Sequence, residues 1–387
     1  MRLHPDVQRL EKACVRHRQA LHRIPETCFA EHKTQAYILR QLQKCAPDRL
    51  ETLAQTGVKA VYFAPDARGT LAFRADTDGL GLVEETGAPY ASVHAGRMHG
   101  CGHDGHMTML LLLARLVHKR RAELRHNVVL LFQPAEEGRG GARTMIQEGA
   151  LSDPPVDCIY GMHVWPSVPR GKIGVRWGPM MARTSEFDVI VHGKSAHGAS
   201  PQMGVDAVVA AAELISLMQT AISRSVDPHQ DALLTIGKIS GGTARNIIAD
   251  RVELNATLRV FSGEVFEQLA QRLRAMLSGL EVATGARFEF RPLMHYPCVN
   301  NPRPLVEEFY TCMAPEELYL CDPVMAAEDF AFYQQEIPGL FLFLGVEGGK
   351  NAQPLHNSRF DFDEALLLNG VEVYRRLLGL GGAPESA

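Results

Sequence analysis

Two neighbouring stretches decide the fold class: GHMTMLLLLARLVHKR, Gly105 to Arg120, and NVVLLFQ, Asn127 to Gln133. The first is apolar almost without interruption, which suits a helix covered on most sides. The second is short and β-branched, the composition of a buried strand. Upstream, Ala60–Phe63 and Thr70–Arg74 are further β-rich runs, and His4 to Gln43 carries helical spacing broken at Pro25. Strand, crossover helix and strand in succession imply an α/β sheet containing parallel pairs.

The texture changes near Arg183. EFDVIVHG from Glu186, a helix at Val205–Ser223, LLTIGKI, RVELNATLRV, a helix at Glu264–Leu280 and ARFEFRP follow in turn. That β-α-β-β-α-β order is the signature of a ferredoxin-like α+β sandwich. After His295 the α/β texture returns, with GLFLFLGV as a buried strand and Asp363–Leu378 as a closing helix. The expectation is an α/β domain with a mixed sheet, residues 1–183 and 295–387, interrupted by an inserted ferredoxin-like α+β domain, residues 184–294. A cleft between them is a natural place for a ligand.

Composition narrows the function classes. The chain has 387 residues, 46% of them hydrophobic and 22% charged, with a formal net charge of −4, so wholesale disorder is excluded. That charge also argues against electrostatic binding to nucleic acid or anionic membrane. The N-terminal stretch is charged throughout and has no apolar core of a secretory signal, and the apolar run Met107–Val117 is too short to span a bilayer. The eight cysteines are scattered without a CxxC pair, which fits reduced thiols and a cytoplasmic protein.

Four segments concentrate metal-competent side chains: HGCGHDGH (His99 to His106), QPAEEG (Gln133 to Gly138), GMHVWP (Gly161 to Pro166) and PLHNSRF (Pro354 to Phe360). Three of them follow an apolar strand-like run, where the loops at the carboxyl ends of an open α/β sheet converge. Glycines around Cys101 and His103 let the backbone turn tightly and aim both side chains at one centre. Of the neighbouring carboxylates Glu136 and Glu137, one can bind metal while the other handles protons, provided a turn relaxes strand alternation.

At these residues the sequence resembles the M20 metallopeptidase superfamily. The likeness is to its amidohydrolase branch of hippurate hydrolases, N-acyl-amino-acid amidohydrolases and indoleacetyl-amino-acid hydrolases. LHRIPE, RADTDGL, MHGCGHDGHMTMLL, LFQPAEEGRGGARTMI, GMHVWP, AEDFAF and PLHNSRFDFDE carry the likeness in order along the chain. The resemblance implies a catalytic α/β domain with two divalent metals, zinc or manganese, with cobalt or nickel as further options. It also implies an inserted lid and dimerisation domain. Carried over, Cys101 bridges the metals, His103 and His163 complete one shell, Glu137 and His356 the other, and Glu136 is the general base.

Related branches place His-x-Asp where this chain has Arg74-Ala75-Asp76, which gives the missing imidazole to His103 and leaves Asp76 either a supporting or a structural role. The same resemblance implies that in the lid His197 of KSAHGASP reaches over the substrate and that Asn246 and Arg259 bind it. Ile-Ala-Asp follows Asn246 closely where proline is common in the family. The implied reaction is hydrolysis of small N-acyl-L-amino acids. A dipeptidase, an aminopeptidase or an N-acetyldiaminopimelate deacetylase of the same fold are the alternatives, and a non-catalytic metal- or ligand-binding protein is the different class. A homodimer or tetramer through the lid is the expected assembly.

Overall fold

Helix His103–Lys119 connects two parallel neighbours in a sheet, as the opening stretches require. The computed structural model describes residues 1–348 and 353–382. In chain order, the strands of this sheet are β1 (Arg49–Leu53), β2 (Gly57–Tyr62), β3 (Thr70–Asp76), β4 (Asn127–Gln133), β5 (Cys158–Trp165), β6 (Ile173–Val175), β7 (Leu318–Leu320) and β8 (Gly339–Gly345). They lie in the order β1-β2-β4-β3-β5-β8-β6-β7. β3 pairs in parallel with both β4 and β5, and β5 with β8, whereas β2 meets β4 in antiparallel fashion. The sheet is therefore mixed.

β4 and β5 flank β3 on opposite sides, so the chain reverses its direction of travel across the sheet there. The loops leaving the carboxyl ends of these strands surround one crevice. Every residue of helix His103–Lys119 from His103 to Val117 is buried except Arg115. Each of its fully buried leucines contributes about 1.5–3 kcal/mol of hydrophobic stabilisation, so its N-terminus is firmly seated. That N-terminus begins at Gly102, whose φ of 88° is left-handed and where a Cβ would lie 2.4 Å from Val164 Cγ2. A larger residue fits there neither conformationally nor spatially.

These elements belong to a compact unit made of Met1–Met180, Asn300–Asp322 and Asp329–Ala387; a second unit comprises Met181–Val299 and Pro323–Glu328. The short segment Pro323–Glu328 has a texture that the sequence alone groups with the α/β part. In the second unit, strands Arg183–His192, Ala232–Gly241, Arg251–Val260 and Arg287–Tyr296 form an antiparallel sheet in the order fourth, first, third, second. That is the ferredoxin-like order. Burial alternates strictly along Arg251–Val260, which marks a strand with one face in a core.

Two helices supply the rest of that core. Ala207–Ser225 starts on Asp206, whose carboxylate accepts the Val208 N–H at 2.9 Å, and Gly263–Thr284 starts on Ser262. Among the described residues, Ala207–Ser225, not Met107–Val117, is the helix long and apolar enough to cross a membrane. Its Ala207, Ala210, Ala211, Leu214, Met218 and Ala221 are built into the core of this unit.

Candidate metal centre

Each sequence segment delivers its side chain from a strand end or a glycine-shaped turn of the first unit. Cys101 immediately precedes the Gly102 start of helix His103–Lys119, and His103 is the first residue of that helix. His163 lies near the end of β5. Strand β4 stops at Gln133, and Ala135 turns the chain with a left-handed φ of 58°. This turn frees Glu136 and Glu137 from strand alternation. His356 also has positive φ, 63°, and its N–H donates to Gly100 O at 2.8 Å, tying it to the Cys101 loop.

The five side chains assigned to metal come together. Cys101 Sγ lies 3.4 Å from His163 Nε2 and 3.3 Å from His356 Nε2, between two imidazoles. Glu137 Oε1 lies 3.2 Å from His356 Nε2 and 3.8 Å from His103 Nε2. Ligand atoms of Cys101, Glu137 and His356 all fall within 4.8 Å of one another, and so do those of His103, Glu136 and Glu137. Glu136 is 7% exposed, so the carboxylate beside this cluster is shielded from bulk water.

The outward ring nitrogens define which atoms remain for coordination. His163 Nδ1 bonds the Val164 carbonyl at 2.6 Å and His103 Nδ1 bonds the Asp78 carbonyl at 2.8 Å. A carbonyl only accepts, so both rings carry a proton on Nδ1, and Nε2 is the nitrogen left to face a metal. His106 differs. Its Nδ1 donates to Asp76 Oδ1 at 2.7 Å, and its Nε2 accepts the Val164 N–H at 2.9 Å. Both nitrogens are engaged, so His106 is a brace although it lies in a cluster with Asp76, His103 and His163.

Asp76 serves that brace from one oxygen and Arg74 Nη1, at 2.7 Å, from the other. Arg74 continues to Gln133 Oε1 at 2.8 Å and Asp329 Oδ1 at 2.7 Å, linking β3 to β4. The Arg-Ala-Asp departure thus places a buried strut where related branches place a histidine.

Asp78, which the sequence reading does not single out, organises the carboxylate turn. Its Oδ1 accepts the Glu136 N–H at 3.1 Å and its Oδ2 the Glu137 N–H at 3.0 Å. Asp78 stands in the quoted run RADTDGL, two residues past the end of β3. A carboxylate leaving a strand beside the metal motifs was the only signal in the sequence.

Electrostatics supply a test of whether metal fits. Burial, then the carboxylates of Glu137 and Glu136, push the Cys101 thiol well above its ordinary range. Burial alone would lower His103, but Asp76 and Asp78 overcome it and raise the imidazole to about 10. Burial, with His106 beside it, keeps His163 neutral. His103 Nε2 and Glu137 Oε1 are both buried and make no hydrogen bond. A buried imidazole nitrogen and a buried carboxylate oxygen that face one another without a hydrogen bond, beside a thiol that needs a cation to ionise, fit a divalent centre.

The remaining three assigned residues lie in the second unit. The backbones of His197 and Ile247 bridge, and the Gly198 N–H donates to Asn246 O at 2.8 Å, so His197 and Asn246 sit together. His197 is exposed. Arg259 is not with them. It pairs with Thr184 and Leu233, eight residues along its strand from Arg251, a separation of roughly 26 Å at the usual strand rise.

Fold and site together define a metal-dependent hydrolase of amide bonds. Residues 72–379 match the sequence model of peptidase family M20/M25/M40, and the chain belongs to that family. It is 38% identical over 361 residues to an N-acetyldiaminopimelate deacetylase of Bacillus pumilus (strain SAFR-032), covering 92% of this chain and 94% of the relative. The same-named enzyme of Bacillus subtilis (strain 168) is 38% identical over 363 residues, 92% of this chain and 95% of its own. Among solved structures, a dinuclear metal-binding peptidase of family M20 from Bacillus subtilis superposes with a TM-score of 0.83 at 31% identity, covering 96% of this chain and 98% of its own. A protein of methicillin-resistant Staphylococcus aureus assigned as an aminohydrolase superposes with a TM-score of 0.90 at 31% identity, covering 96% of both chains.

Proposed function

We propose that this chain hydrolyses the amide bond of N-acylated amino acids, with N-acetyldiaminopimelate as the leading substrate, and releases a carboxylic acid and a free amine. The convergence of Cys101, His103, Glu137, His163 and His356 beside the buried Glu136 carries the reading. The likeness to enzymes named N-acetyldiaminopimelate deacetylase in Bacillus pumilus and Bacillus subtilis supports an acetyl group rather than the aromatic acyl group of hippurate-like substrates.

Those five side chains would hold two divalent ions, which would supply Lewis acidity toward the amide carbonyl and lower the pKa of the attacking water. The thiol and imidazole donors favour zinc, and the family resemblance keeps manganese as the other choice. Glu136 accepts the proton of the attacking water and delivers it to the departing nitrogen. His197 and Asn246 act as donors to the developing oxyanion, each worth ~3–4 kcal/mol in comparable sites. Arg259 is assigned to the substrate carboxylate, and its distance from the Asn246 end of its sheet supports a reading in which it and His197 of one chain serve different copies of the site. A lid function for residues 184–294, a homodimer or tetramer through that domain and a cytoplasmic location complete the proposal.

The test is a panel of N-acetyldiaminopimelate, hippurate and a dipeptide, each assayed with zinc- and manganese-loaded protein. The acetylated substrate should give the highest kcat/KM. A dipeptide turned over best would replace the deacylase reading with a peptidase one.

A further inference from the structure

A cavity of about 450 Å³ opens among helices Glu11–His22, His32–Gln43 and His103–Lys119, and none of the assigned metal ligands lines it. That volume lies within the range of small-molecule sites. Leu10, Leu111 and Leu116 give it an apolar lining, and Arg9, Arg16, Lys44, Arg115, His118 and Lys119 surround it with basic groups.

Asp6 is the one carboxylate that lines the cavity, and it is already committed. It takes Lys119 at 2.5 Å, Arg120 at 2.7 Å and Arg9 at 3.1 Å. Arg16, Lys44, Arg115 and His118 make no ion pair among the described residues. Three of these cations lie near one buried imidazole. His17 is 2% exposed, lines the cavity and has Nδ1 2.7 Å from the Tyr37 hydroxyl. Burial, then Arg16, Arg115 and Lys44, hold its imidazole down to about 4, and no carboxylate offsets them.

Like charges gathered around a concave, partly apolar space repel one another until an anion enters. Guanidinium forks match phosphate oxygens in pairs, and a lysine adds a point charge. We infer that this cavity binds a small organic phosphate of mononucleotide size or less, its phosphate on Arg16, Lys44 and Arg115 and its apolar part against Leu10, Leu111 and Leu116.

The experiment is calorimetric titration of the metal-loaded full chain with AMP, inorganic phosphate, adenosine and citrate at fixed ionic strength. AMP should bind, phosphate more weakly, and adenosine not at all. Arg16 and Arg115 are exposed. The double variant Arg16→Gln/Arg115→Gln should weaken AMP at least about tenfold, the loss expected for one or two charge-assisted hydrogen bonds. Amide hydrolysis without AMP should stay unchanged in it. Lys44→Gln provides an independent single change that should weaken AMP in the same direction. Absence of AMP binding at millimolar concentration, full affinity in the double variant, or citrate binding as tightly as AMP would each overturn the inference.

Discussion

Asp78 grips the backbone of Glu137 while a neighbouring oxygen of the same carboxylate grips Glu136, at 3.0 and 3.1 Å. One side chain thereby sets the direction of both the proposed base and a proposed ligand. Asp78→Ala releases both amides and should lower metal affinity about 10–100-fold, the usual cost of losing an outer-shell partner. Metal titration against a chelator checks this, with kcat measured at saturating metal. Unaltered affinity and kcat would show that the turn holds its shape alone.

Glu136→Gln keeps the volume and removes the proton acceptor. Bound metal should remain at the wild-type ratio by elemental analysis, while kcat falls about 10²–10⁴-fold. Turnover like that of the wild type would refute the base assignment.

Metal uptake should release protons, because His103 is raised to about 10 and the Cys101 thiol is pushed up, and both must lose a proton to coordinate. Apparent affinity should therefore rise with pH between about 6 and 8, the direction in which proton competition weakens. Cys101→Ala should lower the metal content and flatten that rise. A pH-independent affinity in the wild type would contradict the charge balance of the cluster.

Glu31 lies fully buried beneath the same turn, accepting the Ala135 N–H at 3.0 Å and the Thr56 hydroxyl at 2.5 Å. Burial raises its carboxyl from 4.5 to about 7. Between those values the folded chain keeps a proton that the unfolded chain has lost, so this contribution to stability falls as pH rises across the window. Glu31→Gln should match the wild-type Tm near pH 4.5 and exceed it at pH 8. Parallel Tm–pH curves would remove Glu31 as the source.

Gly141 follows the turn at close quarters. A Cβ there would lie 1.7 Å from the Pro134 carbonyl oxygen, a backbone atom that cannot step aside cheaply. Gly141→Ala should cost about 2 kcal/mol or more by overpacking and should reduce kcat by moving Glu136. Chemical denaturation and steady-state assays read the two effects; an unchanged pair would mean that the loop relaxes freely.

The parts of the fold legible in sequence were those with strong periodicity. β4 and β8 are unbroken apolar runs, and Arg251–Val260 alternates in pattern and in burial. β1, RLETL, carries no such pattern because it is a half-exposed strand at the sheet edge. Glu136 and Glu137 were visible as residue types, but the left-handed Ala135 that aims them was not, since no glycine marks the turn. Asp78 and His106 escaped notice for a related reason: their roles lie in which backbone atoms they meet, and a linear sequence carries no such pairing. Arg259 lies far along its strand from the Asn246 end, a separation that the linear sequence does not show.

The proposed ligands are drawn from widely separated points of the chain, Cys101 and His103 early, His163 in β5, and His356 beyond β8. No contiguous fragment short of His356 contains the whole coordination set. During synthesis the metal pair therefore has no complete home until that histidine emerges, by which time the helix beneath Cys101 and the inserted unit already exist. A complete set of the proposed ligands therefore exists only in a chain whose last α/β segment has been made.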